Sequence, residues 1–105
     1  MEITYGAVGD DNTAAVVGDT VLANEVARKL VTSISYSGAV VAARLFLNTS
    51  EGNPSGGTLK EFGWFGEGAS ATVDTGTLFT RLVVTETKNS TISLTFKHTI
   101  NINDA

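Results

Sequence analysis

Hydrophobic and polar residues alternate along most of the chain, and this pattern predicts a domain built from strands. The clearest alternation lies near the end of the chain. Its apolar set is Ile92, Leu94, Phe96, His98, Ile100 and Ile102, and its polar set is Thr91, Ser93, Thr95, Lys97, Thr99 and Asn101. A period of two predicts a long strand with one face on a core and the other in water or against a partner.

Five further segments favour strands. They are residues 3–8, 33–37, 39–48, 59–65 and 77–85. The run at 39–48 is almost continuously apolar, which predicts a central strand covered on both sides. Residues 86–90 predict a hairpin turn that joins the last two strands. Residues 48–57 and 66–76 are rich in glycine and hydroxyl side chains and predict surface loops.

One stretch, residues 19–30, has a helical pattern. Its apolar residues recur every four positions, as Leu22, Val26 and Leu30. Asp19 or Thr20 can cap the first turn, because a side-chain oxygen there accepts from free backbone N–H groups. The sequence therefore predicts an all-β, β-sandwich or jelly-roll-like module with one short α-helix near the N-terminus, forming a single domain over residues 1–105.

Composition narrows the classes of function. The chain has 7 basic and 11 acidic residues, a net charge of −4 and no cysteine. The basic residues form no stripe, so we expect no nucleic-acid partner. A thiolate metal site and a disulfide framework are excluded. No apolar run reaches the roughly 20 residues of a membrane helix, and the first nine residues lack the pattern of a signal peptide, so we expect no membrane partner.

The tripeptide Asp74-Thr75-Gly76 matches the active-site signature of aspartic proteases. A retroviral-type protease places this aspartate near the start of the chain and needs a flap hairpin after it. Here only 31 residues follow Asp74, and the pattern assigns them to one long hairpin. We therefore interpret the tripeptide as a turn before a strand, and expect no enzyme and no catalytic residue.

Metal and cofactor sites are not expected either. His98 is the only histidine and lies on the apolar side of the last strand, which favours a hydrogen-bonded core or interface residue. Asp10, Asp11 and Asn12 offer oxygens for Ca²⁺ but lack the spacing and closing glutamate of an EF-hand. A solvated turn is the better interpretation of these three residues.

The remaining patterns are weak. Gly63, Gly66 and Gly68 resemble a phosphate loop, but no helix N-terminus follows them. Asn48 and Asn89 begin glycosylation sequons by pattern only. No Gly-x-Ser-x-Gly elbow is present for nucleophilic catalysis. The aromatic residues Phe62, Trp64 and Phe65 fit core packing better than an exposed groove.

Several motifs in order resemble small structural proteins of tailed bacteriophages. Asp19 to Arg28 is similar to a D-T-x-L-x-x-E-x-x-R segment. Glu61 to Phe65 is similar to an E-x-G-x-F strand, and Gly76 to Arg81 to a G-x-L-x-x-R strand. A long alternating strand, residues 92–102, completes the pattern. Trp64 stands where the pattern has leucine.

The resemblance implies a virion protein without catalysis, assembled in the host cytoplasm. The function expected first is a capsid decoration (cement) protein, a homo-oligomer and preferably a trimer, bound to the major capsid protein. A tail or tail-fibre adaptor that binds tail subunits is the alternative in the same class. A carbohydrate- or host-surface-binding module with Trp64 as a stacking platform is the alternative of another class, and a small hydrolase ranks last. The motifs also suggest a cross-strand ion pair between Glu61 and Arg81.

Overall fold

Seven strands make up the regular structure in a computed structural model, which describes residues 3–14, 18–38 and 40–101. They are β1 (Ile3–Gly9), β2 (Glu25–Leu30), β3 (Ser33–Ser37), β4 (Val40–Leu47), β5 (Thr58–Gly66), β6 (Thr77–Thr87) and β7 (Leu94–Asn101). The described residues contain no helix, and so none that is long and apolar enough to cross a membrane. The prediction of an all-β chain is confirmed.

The strands form two antiparallel sheets. Sheet A has the order β2-β1-β5-β6, and sheet B has the order β3-β4-β7. Both sheets supply apolar side chains to one core, which makes the arrangement sandwich-like. Phe62 of sheet A and Phe96 of sheet B meet there with ring centroids 4.3 Å apart. Burial of these aromatic rings together with the aliphatic side chains of both sheets holds the sheets together.

A second, smaller core lies on the other face of sheet A. It is built around Ala7, Phe65 and Leu22, with Ala69 and Leu78 packed against it. Leu22 and Ala69 come from connecting segments, not from strands. The segments 18–24 and 67–76 therefore cover the outer face of sheet A, which is consequently buried on both sides over part of its area.

The predicted helix at residues 19–30 is wrong. Residues 25–30 form β2, which pairs with β1, and the residues before it are turns and bends. The apolar stripe does not face one core, because Leu22 is buried in the smaller core whereas Leu30 is 61% exposed. Pairing with β1 satisfies a whole row of backbone groups on both strands, and this tertiary contribution outweighs a weak local helix preference.

The strand β4 is central in its sheet, as predicted, but only one of its faces is covered. Val41, Ala43, Leu45 and Leu47 alternate as buried residues, while Arg44 and Phe46 are exposed. The predicted cover on both sides is therefore wrong for the outer face. Among the described residues, the odd-numbered residues of β4 pack in the shared core, whereas its even-numbered residues stay partly or fully exposed on the outer face.

The predicted hairpin at residues 86–90 is also wrong. The strands β6 and β7 belong to different sheets, so the connection between them passes from sheet A to sheet B. Phe79 of β6 and Phe96 of β7 both pack in the shared core, because the two strands lie in sheets that face each other. The alternation in the last strand is confirmed through residue 99, since the odd positions 91–99 are exposed and the even positions 92–98 are not. Ile102 and the side chain of Ile100 lie outside the described structure.

Candidate functional site

The predicted ion pair between Glu61 and Arg81 is confirmed and lies at the centre of a buried polar cluster. Arg81 Nε donates to Glu61 Oε1 at 2.9 Å, and both side chains are almost fully buried. The pair is diagonal across β5 and β6, because Gly63 is the direct register partner of Arg81. Glycine at position 63 leaves room for Leu22 to cover the cluster.

The Glu61 carboxylate receives several further hydrogen bonds. The backbone N–H groups of Ala23 and Asn24 donate to its two oxygens, each at 2.7 Å, and Asp11 N donates at 3.4 Å. A buried carboxylate is stable only when it is paired and hydrogen-bonded in this way. A Cβ atom at Gly9 would lie 2.6 Å from Glu61 Cγ and closer still to Glu61 Oε2, so the glutamate occupies space that only glycine leaves.

Arg81 extends the cluster to the segment after β1. Its guanidinium donates to the carbonyl oxygens of Thr13 at 2.7 Å and Asp11 at 3.3 Å. Asp19 Oδ2 lies 3.6 Å from Arg81 Nη1. We call Glu61, Arg81 and these contacts the first clamp, because together they hold the segments 10–14 and 18–24 against sheet A.

A second clamp is centred on Arg28 of β2. Its guanidinium binds the Glu25 carboxylate in a two-point arrangement at 2.6 and 2.8 Å, with both side chains nearly inaccessible to water. A bulge leaves Val26 without a partner on β1, and so brings residues 25 and 28 to the same side of the strand. The guanidinium also lies over the Phe65 ring, 4.6 Å from its centroid.

The second clamp holds the segment 67–76. Arg28 Nη1 donates to the carbonyl oxygens of Ser70 at 3.1 Å and Thr75 at 2.9 Å. The Thr75 hydroxyl in turn donates to the carbonyl oxygen of Thr72 at 2.7 Å. The guanidinium therefore uses its fixed fork geometry to join one strand and one loop, a task that lysine cannot perform.

Asp74 lies on an exposed turn inside this clamped segment. Its φ of 63° is in the left-handed region, which aspartate tolerates better than most residues. Its backbone N–H donates to Glu25 Oε1 at 3.3 Å. Gly76 follows with φ of 88°, in close contact with Ala69. The predicted turn at Asp74 to Gly76 is confirmed, although the residues after it form strands of two sheets and not a hairpin.

His98 is hydrogen-bonded, as predicted. Trp64 Nε1 donates to His98 Nδ1 at 2.6 Å, and the two rings meet edge to face. The acceptor role of Nδ1 places the proton of the neutral imidazole on Nε2. Partial burial lowers the pKa of His98, because desolvation disfavours the charged ring.

The next candidates are residues 10–12, which the sequence offered as oxygen ligands for Ca²⁺. Within the described ranges, no group of three histidine, cysteine or acidic residues lies in an arrangement suited to a metal ion. Asp11 accepts from both the backbone and the hydroxyl of Thr13, and these hydrogen bonds lower its pKa. Asp10 accepts from the Asn24 side chain. The interpretation of residues 10–12 as a turn fits these local contacts.

The remaining weak patterns also have local structural roles. Both Asn48 and Asn89 accept hydrogen bonds from the backbone N–H and the hydroxyl of the residue two positions later. Such Asx turns explain why Ser50 and Thr91 follow at that spacing. Gly63 and Gly66 lie within β5, so they do not form a loop around a phosphate.

The aromatic residues of β5 are core residues. Phe62, Trp64 and Phe65 have no accessible surface. The core-packing interpretation is therefore confirmed. Trp64 cannot serve as an exposed stacking platform in this structure.

Two features escaped sequence reasoning. Lys88 is fully buried, and its Nζ donates to Asn53 Oδ1 at 2.5 Å and to the Asn89 carbonyl oxygen at 3.3 Å. Desolvation lowers the pKa of this amine. Arg44 and Lys97 are register partners on the outer face of sheet B. Neither feature has a local sequence signal, since each depends on which segments meet in space.

Comparison with protein-family models, with curated proteins and with solved structures finds no match.

Proposed function

We propose that this chain is a non-catalytic structural subunit of a tailed-bacteriophage virion, and specifically a capsid decoration protein that binds the outer surface of the capsid as a homo-oligomer. We also propose that the two sheets form a complete β-sandwich. The observation that supports this proposal is the position of the motif residues in the fold. Glu25 and Arg28 of one motif form one ion pair, Glu61 and Arg81 of two other motifs form a second, and the two pairs build the two clamps of one sheet.

These motif residues hold the connecting segments rigidly against sheet A. Their charges are neutralised by partners within the chain, and their hydrogen bonds go to backbone groups of the segments they hold. Charged side chains that are buried and fully hydrogen-bonded fix a conformation without offering a reactive group. A protein that must keep long connecting segments in one shape for repeated contacts benefits from such clamps.

The sheets also offer contact surfaces. Each sheet ends in two edge strands, β2 and β6 in sheet A and β3 and β7 in sheet B. Edge strands have free backbone donors and acceptors that can pair with a neighbouring chain. The carbohydrate-binding alternative loses its main support, since Trp64 is buried.

The experiment that tests the proposal uses particles of the phage whose genome encodes the chain. Capsids and tails are separated after gentle disruption, and the amount of this protein in each fraction is measured against the major capsid protein by quantitative mass spectrometry. A fixed ratio in the capsid fraction, with earlier heat release of DNA from particles that lack the protein, is the expected result. Recovery with the tails supports an adaptor instead, and absence from the particle contradicts the whole proposal.

A further inference from the structure

The outer face of sheet B carries two cations that repel each other. Arg44 of β4 and Lys97 of β7 are direct antiparallel register partners, and both are exposed. Register partners have Cβ atoms about 4.5–5.5 Å apart, so like charges there are destabilising. Among the described residues, neither side chain has a hydrogen-bond or ion-pair partner, in contrast to Arg28, Lys29 and Arg81.

The charge of this face is opposite to that of the chain. The three strands of sheet B contain no acidic residue, although the whole chain has 11 acidic residues and a net charge of −4. Every carboxylate therefore lies on sheet A, on a connecting segment or near a terminus. The strands of sheet B therefore contribute only positive charge to their outer face, and Glu51, which lies next to the Phe46 end of β4, is paired with Lys29. A positive face on an acidic protein attracts anionic partners.

The two cations border a small polar depression. Its lining residues are Ser33, Ser35, Ala42, Ala43, Arg44 and Lys97, and its volume is about 90 Å³. The guanidinium can bind a carboxylate at two points, while the ammonium and the serine hydroxyls add single donors. Small residues at the other positions keep the face flat and let a side chain from outside approach. The depression thus has the donors and the size to accept one carboxylate group.

We infer that this face, which we call the cationic face (Ser33, Ser35, Ala42, Arg44 and Lys97), docks carboxylate side chains of a second copy of this chain. The same chain supplies suitable acids. Glu67, Asp74 and Glu86 are exposed, and their carboxylates have no cationic partner among the described residues. They lie on the loop and edge strand of sheet A. This inference rests on the homo-oligomer in the proposed function and adds its interface.

The contact joins two different surfaces of the chain. A cationic face on one copy and an acidic segment on the next make a heterologous interface, which closes into a ring when the rotation permits. A trimer is one such ring. Strands of this length make a face of roughly 25 by 15 Å, which is well below the about 800 Å² per partner of a stable complex. The association is therefore weak, driven by charge and sensitive to salt.

Sedimentation velocity of the purified chain tests the inference at rising protein concentration in low and high salt. The expected result is a weight-average mass that grows with concentration in low salt and returns to that of the monomer in high salt. Lys97→Glu should abolish the growth and also raise the melting temperature, because a repulsive cross-strand pair becomes an attractive one. A substitution that only damaged the fold would lower both the extent of self-association and the melting temperature.

The matched control is Lys60→Glu. Lys60 is also an exposed strand lysine without an ion pair in the described structure, but it lies on sheet A. This variant has the same net charge as Lys97→Glu and should still associate. In a second arm, Lys97→Glu is mixed with Glu67→Lys, Asp74→Lys or Glu86→Lys, and at least one reversed pair should restore the mixed oligomer.

Several outcomes would overturn the inference. A wild-type chain that stays monomeric in low salt, or equal loss of association in the Lys60→Glu and Lys97→Glu variants, contradicts it. So does a monomeric chain that loses binding to capsids on Lys97→Glu, because the carboxylate would then belong to another protein. Loss of capsid binding in the Lys97→Glu variant would contradict the interface but support the proposed virion role. Self-association of a chain that is absent from the particle would contradict the virion role but support the interface.

Discussion

At the scale of single residues, the most informative feature is a buried charge with several partners. Glu61 has three backbone N–H donors and the Arg81 guanidinium around it, and no accessible surface. The sequence motifs placed Glu61 and Arg81 on neighbouring strands, so their contact was predictable. The backbone donors of Ala23 and Asn24 were not, because the pattern there favoured a helix.

Glu61→Gln should destabilise the protein by about 3 kcal/mol, since it leaves Arg81 buried without its charge partner and turns an accepting oxygen into a donor. Chemical denaturation measures the free energy of unfolding. Glu86→Gln is the matched control, because Glu86 is exposed and has no ion pair among the described residues. Equal stability of the two variants would show that the clamp contributes nothing.

His98 gives the protein a defined sensitivity to pH. Desolvation lowers the pKa of His98 in the folded state, so the unfolded chain takes up a proton first as the pH falls. Stability should therefore decrease as the pH drops below about 6.5, the ordinary value for histidine. Protonation also removes the acceptor of the Trp64 N–H group.

Unfolding free energies measured between pH 5 and 8 check this expectation. His98→Gln keeps an acceptor without a titrating group and should flatten the profile in that range. Hydrogen bonds, chiefly from Thr13 to Asp11 and from Asn48 to Glu51, lower the pKa values of these two carboxyls. Their contributions are lost only at more acidic pH, near and below about 4. An unchanged slope in the His98→Gln variant would contradict the assignment.

At the scale of elements, the connecting segments behave as parts of the core. The segments 18–24 and 67–76 cover sheet A with Leu22 and Ala69, and the first clamp fixes the former while the second clamp fixes the latter. The sequence pattern predicted a helix over residues 19–30 and a surface loop over residues 66–76, and it placed neither against the core. The contacts that order residues 18–24 come from β5 and β6, and those that order residues 67–76 come from β2, so each segment is held by strands distant from it in sequence.

Arg28→Lys should release the segment 67–76. Lysine lacks the planar fork that binds Glu25 at two points and also reaches Ser70 and Thr75. We expect faster amide hydrogen exchange in this segment and a loss of about 1–3 kcal/mol of global stability from unpaired buried groups. Hydrogen exchange with mass spectrometry gives both quantities.

The control for this substitution is Arg44→Lys. Arg44 is exposed and has no partner among the described residues, so its exchange to lysine should leave the segment 67–76 and the global stability unchanged. If both variants protect residues 67–76 equally well, the role of Arg28 as a clamp is refuted.

At the scale of the whole molecule, one shared core couples the two sheets. Phe62, Trp64 and Phe96 meet between them. We therefore expect a single cooperative unfolding transition, in which Trp64 fluorescence and far-ultraviolet circular dichroism coincide. Separate transitions for the two signals would mean that the sheets are independent.

Phe62→Ala should shift both signals together and cost about 3–5 kcal/mol, the usual effect of removing a buried aromatic ring. Phe46→Ala is the matched control, because Phe46 is 39% exposed on the outer face of sheet B. The Phe46→Ala variant should lose much less stability than the Phe62→Ala variant. The same comparison tests the proposed sandwich, since only a residue between the sheets can link their stability.

The sequence was sufficient to predict the strands with clear alternation, the core role of the aromatic residues, the turn at Asp74 to Gly76 and the pair of Glu61 with Arg81. The strands, the aromatic core and the turn follow from side-chain period and turn chemistry, which are local properties, whereas the ion pair follows from the order of the motifs along the chain. The tertiary structure alone decided that residues 25–30 form a strand, that β6 and β7 lie in different sheets, and that Arg44 faces Lys97. Each of these depends on which strands pair through their backbones and which apolar faces pack together. Those pairings are set by the interactions of the whole chain.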